Sequence, residues 1–565
     1  MKVIIVGGVA GGASTAARLR RLDENAQITV YERSGYMSYA NCGLPYYIGG
    51  IIEDRGDLTL QTPESFYSRF RVDVRVKHEV VGIDPAAKTV RVRDLETGRE
   101  FTDCYDKLVL ATGAKPFVPD IPGADEDGIF VLRTVEDTFR IYDHINGTRA
   151  SSAVVVGGGF IGLECAENLK HRGLDVTVVE AADQLFSVFD PDMAAQIHTL
   201  FAKNGVKLRL SKGVKSFSKE GAKIICTLSD GEKIPADTVI FSIGVRPDTA
   251  LAKNAGISLG VRGSISVNDR METSAPDIYA VGDAVEVTHF VTGEKALVSL
   301  AGPANRQGRI AADNIAGGDS RYAGSLGSSV IRLFDMTAAS VGISERQAAA
   351  AGIGYSKVVL SPASHASYYP GGSVMTMKVI FSPEEDRILG AQIFGREGAD
   401  KRIDVIATAM RAGMRATGLA QLELAYAPPY SSAKDPVNMA GFMIENLITG
   451  KVKQIYSEQV DSLPRDGSVF LLDTRTPGEY ARGHAEGFVN IPLDELRERL
   501  SELPKGKTVY VMCQSGLRSY IACRILSANG FECFNVSGGY RFFSAVRDGR
   551  IIAGRSYCCG MDKNK

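Results

Sequence analysis

A chain of 565 residues is too long for one hydrophobic core and implies roughly three to five domains. Its 65 Lys plus Arg against 66 Asp plus Glu leave no charge excess to argue for nucleic acid or a membrane surface as partner. Nine scattered cysteines, an odd number, do not read as a disulfide framework and suit a reducing, cytoplasmic compartment.

In chain order, Met1 leads directly into a strand-like run, Lys2 to Val6, so neither a signal peptide nor a transmembrane segment is expected ahead of the fold. That run enters Gly7-Gly8-Val9-Ala10-Gly11-Gly12 and an Ala-rich helical stretch to Leu22. The next strand, Ile28 to Tyr31, closes on Glu32 and Arg33. A strand, a glycine turn and a helix N-terminus let a pyrophosphate approach backbone N–H groups, and an acid after the second strand can hold a ribose hydroxyl. Because Val9 stands at the middle glycine of G-x-G-x-x-G, this turn alone is equally compatible with a plain glycine-rich loop.

The strand Lys107 to Leu110 is followed by Ala111-Thr112-Gly113. A second apolar run, Ala153 to Val156, enters Gly157-Gly158-Gly159-Phe160-Ile161-Gly162, a full match at Gly157, Gly159 and Gly162. Its following strand, Val176 to Val179, closes on Glu180. A carboxylate there accepts hydrogen bonds from a free ribose 2′-hydroxyl and repels a 2′-phosphate, which predicts NADH over NADPH unless a nearby Arg or Lys reverses the preference. Thr273 to Asp283 completes the set of nucleotide-type motifs.

Ser325 to Gly450 has a β-rich portion, with a hairpin over Met375 to Gly395, and then helices from Lys401. After Gly450 the pattern restarts. Gln454 to Asp461 is an entry segment, Val469 to Asp473 a short buried strand, and Thr508 to Met512 a strand running into Cys513-Gln514-Ser515-Gly516-Leu517-Arg518-Ser519 and a helix. Such a loop points several N–H groups at an anion, with Arg518 nearby, so Cys513 is expected to be a stabilised thiolate able to take up and pass on a sulfane sulfur. Cys523 and Cys533 are expected in the core. Cys558 and Cys559, adjacent near the end, could relay sulfur or bind a soft metal, against the simpler reading of a plain terminal tail.

With these motifs in this order, roughly the first 445 residues resemble the flavoprotein disulfide reductase family that has two dinucleotide-binding domains. Residues from Asp473 through Arg518, with Gly483 to Pro492 between them, resemble a rhodanese domain. The resemblance implies an α/β chain with an FAD-binding domain in two parts (1–112 and 247–324), a connecting segment (113–148) and an NAD(P)H-binding domain (149–246). An α+β dimerisation domain (325–450) and a rhodanese-like α/β domain with a Cys-containing tail (451–565) follow. It implies FAD at Gly7, Gly8, Ala10, Gly11, Glu32, Arg33, Ala111, Thr112, Gly113, Gly282 and Asp283, the last against the ribityl chain. NADH is implied at Gly157, Gly159, Phe160, Ile161, Gly162 and Glu180, and the assembly as a homodimer.

Many members of that family carry C-x-x-x-x-C where this chain has Cys42 and then Tyr47. A lone thiol beside a flavin must hold its oxidised state as a mixed disulfide, a persulfide or a sulfenic acid. The stretch Ser38 to Tyr47 is similar to that of coenzyme A disulfide reductases, the single-cysteine members that form a Cys-S-S-CoA intermediate. Oxidase and peroxidase relatives carry a His in the first glycine turn, where this chain has Ala10, which disfavours peroxide chemistry. The resemblance places Tyr368 and Tyr426 at the other subunit's active site, as proton or hydrogen-bond donors to a leaving thiolate, with packing at a dimer interface as the plainer role. The phosphates of coenzyme A call for Arg or Lys. Arg18 and Arg21, three residues apart on one helix face, fit that need. Ser14, Ser38 and Asn41 would line the approach, and Lys434 would reach it from the other subunit.

The C-x-x-x-x-R spacing of Cys513 and Arg518 is one residue shorter than in related phosphatases and favours sulfur; His484 is expected to be structural. The expected activity is therefore NADH- and FAD-dependent reduction of a coenzyme A persulfide or polysulfide through Cys42, releasing sulfide, with sulfur transfer at Cys513. Three alternatives stand beside it: a plain coenzyme A disulfide reductase, an NADH oxidase or peroxidase, and a redox-sensing sulfur carrier. No metal, nucleic acid or membrane is expected to take part.

Overall fold

The computed structural model describes residues 1–554; Cys558 and Cys559 lie outside the described residues. The chain forms two compact units, one of residues 1–181 with 211–327 and one of residues 182–210 with 328 onwards.

In the first unit a five-stranded parallel sheet runs in the order Ile278–Ala280, Lys107–Leu110, Lys2–Val6, Gln27–Tyr31, Asp73–Arg75. Val3, Ile4 and Ile5 are buried completely because the central strand is covered on both faces, which is why it reads as a continuous apolar run. Strand order reverses beside Lys2–Val6, so a crevice opens at its C-terminal end, where the first glycine turn lies. Ile129–Val131, Thr238–Phe241, Ser152–Val156 and Asp175–Val179 form a second parallel run in that spatial order, with the second glycine turn after Ser152–Val156. Two antiparallel three-stranded sheets accompany them. In one, Thr89–Asp94 buries Val90 and Val92 and exposes Arg91 and Arg93, the alternation of a half-solvated strand.

The second unit holds two five-stranded sheets. The antiparallel one runs Ser329–Leu333, Met336–Gly342, Arg387–Gly395, Thr376–Ser382, Ser356–Leu360, and includes the hairpin expected over Met375 to Gly395. The parallel one runs Gln454–Ile455, Cys533–Val536, Val509–Met512, Phe470–Asp473, Val489–Asn490. The expected α/β and α+β architecture is present throughout. Residues 182–210, which fall in the expected nucleotide-binding stretch 149–246, pack in this second unit.

The reason is a buried ion cluster. The Lys378 ammonium, wholly buried, donates to both Asp192 oxygens at 2.8 and 2.9 Å, lies 3.1 Å from Asp190 and contacts Glu345. Burial pulls the Lys378 pKa down, but Asp192, Asp190 and Glu345 together outweigh it and hold the amine charged well above its ordinary range. Asp190, Asp192 and Glu345 have the spacing of a metal site, and an ammonium group occupies their centre. Lys357 extends the cluster to Glu345 at 2.9 Å and to Glu458 at 2.7 Å, at the entry to the parallel sheet. The helix Pro191–Lys203 then runs against Gly539–Ile552, with His198 3.3 Å from the Gly549 carbonyl. Among the described residues no helix is long and apolar enough to cross a membrane.

Candidate active sites

Both glycine turns carry the same steric constraint. A Cβ at Gly12 would stand 1.9 Å from the Gly7 carbonyl oxygen, and one at Gly162 would stand 2.0 Å from that of Gly157, so each helix can leave its strand this tightly only with glycine there. Val9 and Gly159, which cap the helices Ala10–Leu22 and Phe160–His171, offer no side-chain acceptor to the first-turn N–H groups. Backbone N–H groups at a helix start of this kind suit an anion. Glu32 accepts the N–H groups of Gly8 and Ser34, each at 2.8 Å, and Glu180 accepts that of Gly158 at 2.7 Å. Each carboxylate is thereby braced against its turn and retains lone pairs for a ribose hydroxyl. The donor set at each turn fits an adenine dinucleotide.

The remaining expected cofactor residues lie around the first turn. Thr112 donates its hydroxyl to the Asp248 carbonyl at 2.6 Å, and Arg33 pairs with the Asp248 carboxylate at 3.1 Å. Gly282 donates its N–H to Gln307 at 2.7 Å. Burial raises the Asp283 pKa, and Arg133, 3.6 Å away, opposes the rise.

Cys42 lies in the single turn Asn41–Gly43, ahead of the helix Leu44–Ile48, and is exposed. Protein atoms that screen its Sγ from bulk water raise the thiol pKa, the Glu164 and Asp283 carboxylates add to the rise, and Arg133 opposes it. Glu164 is itself pushed up to about 7 by burial; the Tyr46 hydroxyl, donating at 3.4 Å, works against that shift and Glu167 adds to it. The Asn41 amide faces the carbonyl and guanidinium of Arg133, which links Cys42's own turn to the cation. Tyr47, where paired reductases have their second cysteine, is buried against Phe139 and Tyr142, with its hydroxyl 3.2 Å from Arg55 Nε.

Arg133, Glu164 and Gln307 were not singled out from the sequence. Arg133 and Gln307 belong to no motif. Glu164 carried a usable signal, as an acid inside the apolar helical run Phe160 to Ala166.

Of the expected substrate-binding residues, Ser14 donates to Asn305, and Arg18 pairs with Asp313 at 2.7 Å, both partners on the helix Ala301–Ile315. Arg18 thus reaches the surface with its charge already compensated, whereas Arg21 is exposed. Ser38, at φ +44°, donates its N–H to the Gly8 carbonyl at 2.8 Å. Lys434 is exposed just before Asp435, the cap of Pro436–Ile448. Tyr368 and Tyr426, two separate candidates in the sequence, are joined in the structure by a 2.8 Å hydrogen bond between their hydroxyls.

At the far end of the chain, Cys513 follows the strand Val509–Met512 and is buried. Its Sγ accepts the Gly516 N–H at 3.1 Å and the Ser519 hydroxyl at 3.2 Å. Gly516, at φ +99°, sits in backbone space that only glycine enters without strain. Arg518 is engaged in a two-pronged pair with Glu479, at 2.7 and 2.8 Å, which pulls the Glu479 pKa down to about 2. Arg475, buried, is paired with Asp473 at 2.7 Å beneath the Tyr540 ring. Cys523 and Cys533 are in the core, and His484 stacks on Tyr480 at 3.9 Å. Ser519 was read in the sequence as the end of this loop but given no role, because a hydroxyl in the first turn of a helix carries no signal of its own for a bond to the sulfur.

Residues 1–308 match the family described as pyridine nucleotide-disulphide oxidoreductase, residues 329–436 the dimerisation domain of that family, and residues 457–545 the rhodanese-like domain. The chain is 38% identical over 442 residues to coenzyme A disulfide reductase of Staphylococcus aureus, a match covering 78% of this chain and 99% of that protein. Its fold matches the crystal structure of reduced Bacillus anthracis CoADR-RHD with a TM-score of 0.95 and 47% identity, over 97% and 98% of the two chains. It also matches a NAD-dependent persulfide reductase from A. fulgidus, with a TM-score of 0.91 and 37% identity, over 96% and 100%.

Proposed function

The chain belongs to the pyridine nucleotide-disulphide oxidoreductase family, and from that premise we propose that it is a homodimeric enzyme that uses NADH to reduce a persulfide or polysulfide carried by coenzyme A, releasing sulfide. Gly7, Gly8, Ala10, Gly11, Glu32, Arg33, Ala111 to Gly113, Gly282 and Asp283 would hold FAD, which would supply the route for two electrons from an NADH held by Gly157, Gly159 to Gly162 and Glu180. The Cys42 thiolate attacks the sulfur bonded to coenzyme A. The S–S bond breaks, hydrosulfide leaves, and Cys42 is left in a mixed disulfide with coenzyme A. Two electrons and a proton then return the Cys42 thiolate and free the coenzyme A thiol. Overall, NADH, a proton and the persulfide give NAD+, coenzyme A and hydrogen sulfide.

With Tyr47 in place of a second cysteine, no internal disulfide competes with the mixed disulfide. Arg133 favours the Cys42 thiolate against the local carboxylates, and Tyr368 and Tyr426 are the proposed proton source for the departing coenzyme A thiolate. Arg18, Arg21, Ser14, Ser38, Asn41 and Lys434 are the proposed contacts of the carrier. The observation that carries the persulfide reading is the pair of donors on Cys513 Sγ, a cradle for a sulfur anion in a chain whose family reduces sulfur–sulfur bonds.

The test is anaerobic, NADH-dependent sulfide release from coenzyme A persulfide by the purified protein and by its Cys42→Ser variant. Sulfide from the parent alone supports the reading. No sulfide from the parent, with coenzyme A disulfide still reduced, favours the second reading, a plain coenzyme A disulfide reductase. That reading draws on the S. aureus relative, of which 99% is matched by 78% of this chain.

A further inference from the structure

We propose that Glu479 sets the donor specificity of the Cys513 loop: by holding Arg518 in an ion pair, it selects persulfides and polysulfides borne on a thiol over small dianionic sulfane donors of the thiosulfate class. The inference rests on the reading of Cys513 as a sulfur acceptor and adds the residue that chooses the donor.

The two donor classes undergo the same bond changes. The Cys513 thiolate attacks the terminal sulfane sulfur, the donor's S–S bond breaks, and either a thiolate or sulfite departs with the bonding pair. Cys513 is left as a persulfide, and an acceptor thiolate then removes the sulfane sulfur and restores the Cys513 thiolate. The sulfane sulfur keeps its oxidation level, so no oxidant or reductant is consumed.

What separates the donors is charge. Thiosulfate brings two negative charges on one small group toward a site already holding a thiolate, and needs an uncompensated cation there. The reacting end of a persulfide or polysulfide on a thiol carries at most one.

Two guanidinium groups flank the loop, and both are already paired. Arg475 is held by Asp473 at 2.7 Å and lies 3.4 Å from Gln514 of the loop. Arg518 is held through two parallel hydrogen bonds by Glu479. Glu479 cannot easily swing aside, because its Oε2 also accepts the Thr476 N–H at 3.0 Å and the Thr476 hydroxyl at 3.1 Å, the capping contacts of the helix Pro477–Ala481. Arg518 keeps that carboxylate ionised across the physiological range. Both of these positive charges are therefore cancelled within a few ångströms. The rim adds Leu517, 65% exposed, an apolar surface that suits a sulfur chain better than an oxyanion.

The experiment uses the full-length flavoprotein and follows persulfide formation on Cys513 by intact mass, with inorganic thiosulfate and with coenzyme A persulfide as separate donors. The parent is expected to load from coenzyme A persulfide at least about tenfold faster than from thiosulfate. Glu479→Gln, which uncovers the Arg518 charge, is expected to raise the thiosulfate rate by about tenfold and to change the coenzyme A persulfide rate by less than about threefold. Glu479→Asp, which keeps the charge, retains the parent's preference, and its thermal unfolding alongside Glu479→Gln reports the fold. Equal loading of the parent by both donors overturns the proposal even if Glu479→Gln fails to fold, as does a donor ratio that Glu479→Gln leaves unchanged. Loading of the parent by neither donor overturns the reading of Cys513 itself.

Discussion

The hydroxyls of Tyr368 and Tyr426 lie 2.8 Å apart although 58 residues separate them along the chain. At 74% and 46% exposure, both hydroxyl-bearing rings are reachable from solvent in the subunit that carries them. If it protonates the departing coenzyme A thiolate, replacing either residue by Phe removes one link of a two-hydroxyl relay. Tyr368→Phe and Tyr426→Phe should each lower kcat for coenzyme A disulfide reduction by about 10²-fold. The anaerobic rate at which NADH bleaches the flavin should not change. A loss confined to that flavin step, with kcat falling only in proportion, would assign both tyrosines to packing.

The Cys42 thiol and the Glu164 carboxyl give a pH signature with a defined sign. Glu164 is neutral below about pH 7 and charged above it, and its charge is one of the causes that raise the Cys42 pKa. Glu164→Gln should therefore leave Cys42 alkylation by iodoacetamide unchanged near pH 5.5, to within about twofold. At pH 8.5 it should speed alkylation by roughly three- to tenfold, the thiolate gain from up to about one pKa unit. Parallel rate profiles for the two proteins across this range would remove Glu164 from the thiol's environment.

Much of this arrangement was legible in the sequence because glycine turns and parallel strands are local signals. Gly7 to Gly12, Gly157 to Gly162, and the acids Glu32 and Glu180 all occupy the positions their spacing implied, since each motif closes on itself within some 30 residues. The loop from Cys513 to Ser519 was legible for the same reason. What escaped were contacts between distant segments: Arg133 beside Asn41 and Asp283, Gln307 on the Gly282 N–H, and Glu479 on Arg518. Arg18 shows the opposite error of emphasis. Helical periodicity put it on one face with Arg21 but could not reveal Asp313, 295 residues later, waiting to neutralise it.

Residues 182–210 were assigned with their neighbours in sequence, and Lys378 explains their place in the second unit. An ammonium group buried completely among Asp190, Asp192 and Glu345 is stable only while the carboxylates remain opposite it. Lys378→Met leaves those carboxylates buried with Lys357 as their remaining cation and should cost about 3–5 kcal/mol of stability, measured by urea unfolding. Adding Asp192→Asn to Lys378→Met should restore part of the loss, because it removes one of the stranded charges. A double variant no more stable than Lys378→Met would show that Lys378 stabilises the unit by packing rather than by charge.

On the proposal that Glu180 holds the ribose of NADH, the choice of nicotinamide nucleotide turns on this carboxylate, whose Oε2 is fixed 2.7 Å from the Gly158 nitrogen. A carboxylate tethered to the turn cannot rotate away from a 2′-phosphate, so NADPH must bring its two extra negative charges up to a fixed one. Electrostatic repulsion of about 1 to 3 kcal/mol at a half-exposed site corresponds to roughly a five- to 150-fold preference for NADH in kcat/KM. Glu180→Ala should raise kcat/KM for NADPH while lowering that for NADH, because the ribose hydroxyls lose an acceptor as the phosphate loses an opponent. The Gly158 N–H, freed in the same variant, becomes a donor for the 2′-phosphate and adds to the shift. Equal kcat/KM values for the two nucleotides in the parent protein would mean that another cation near the turn already compensates Glu180.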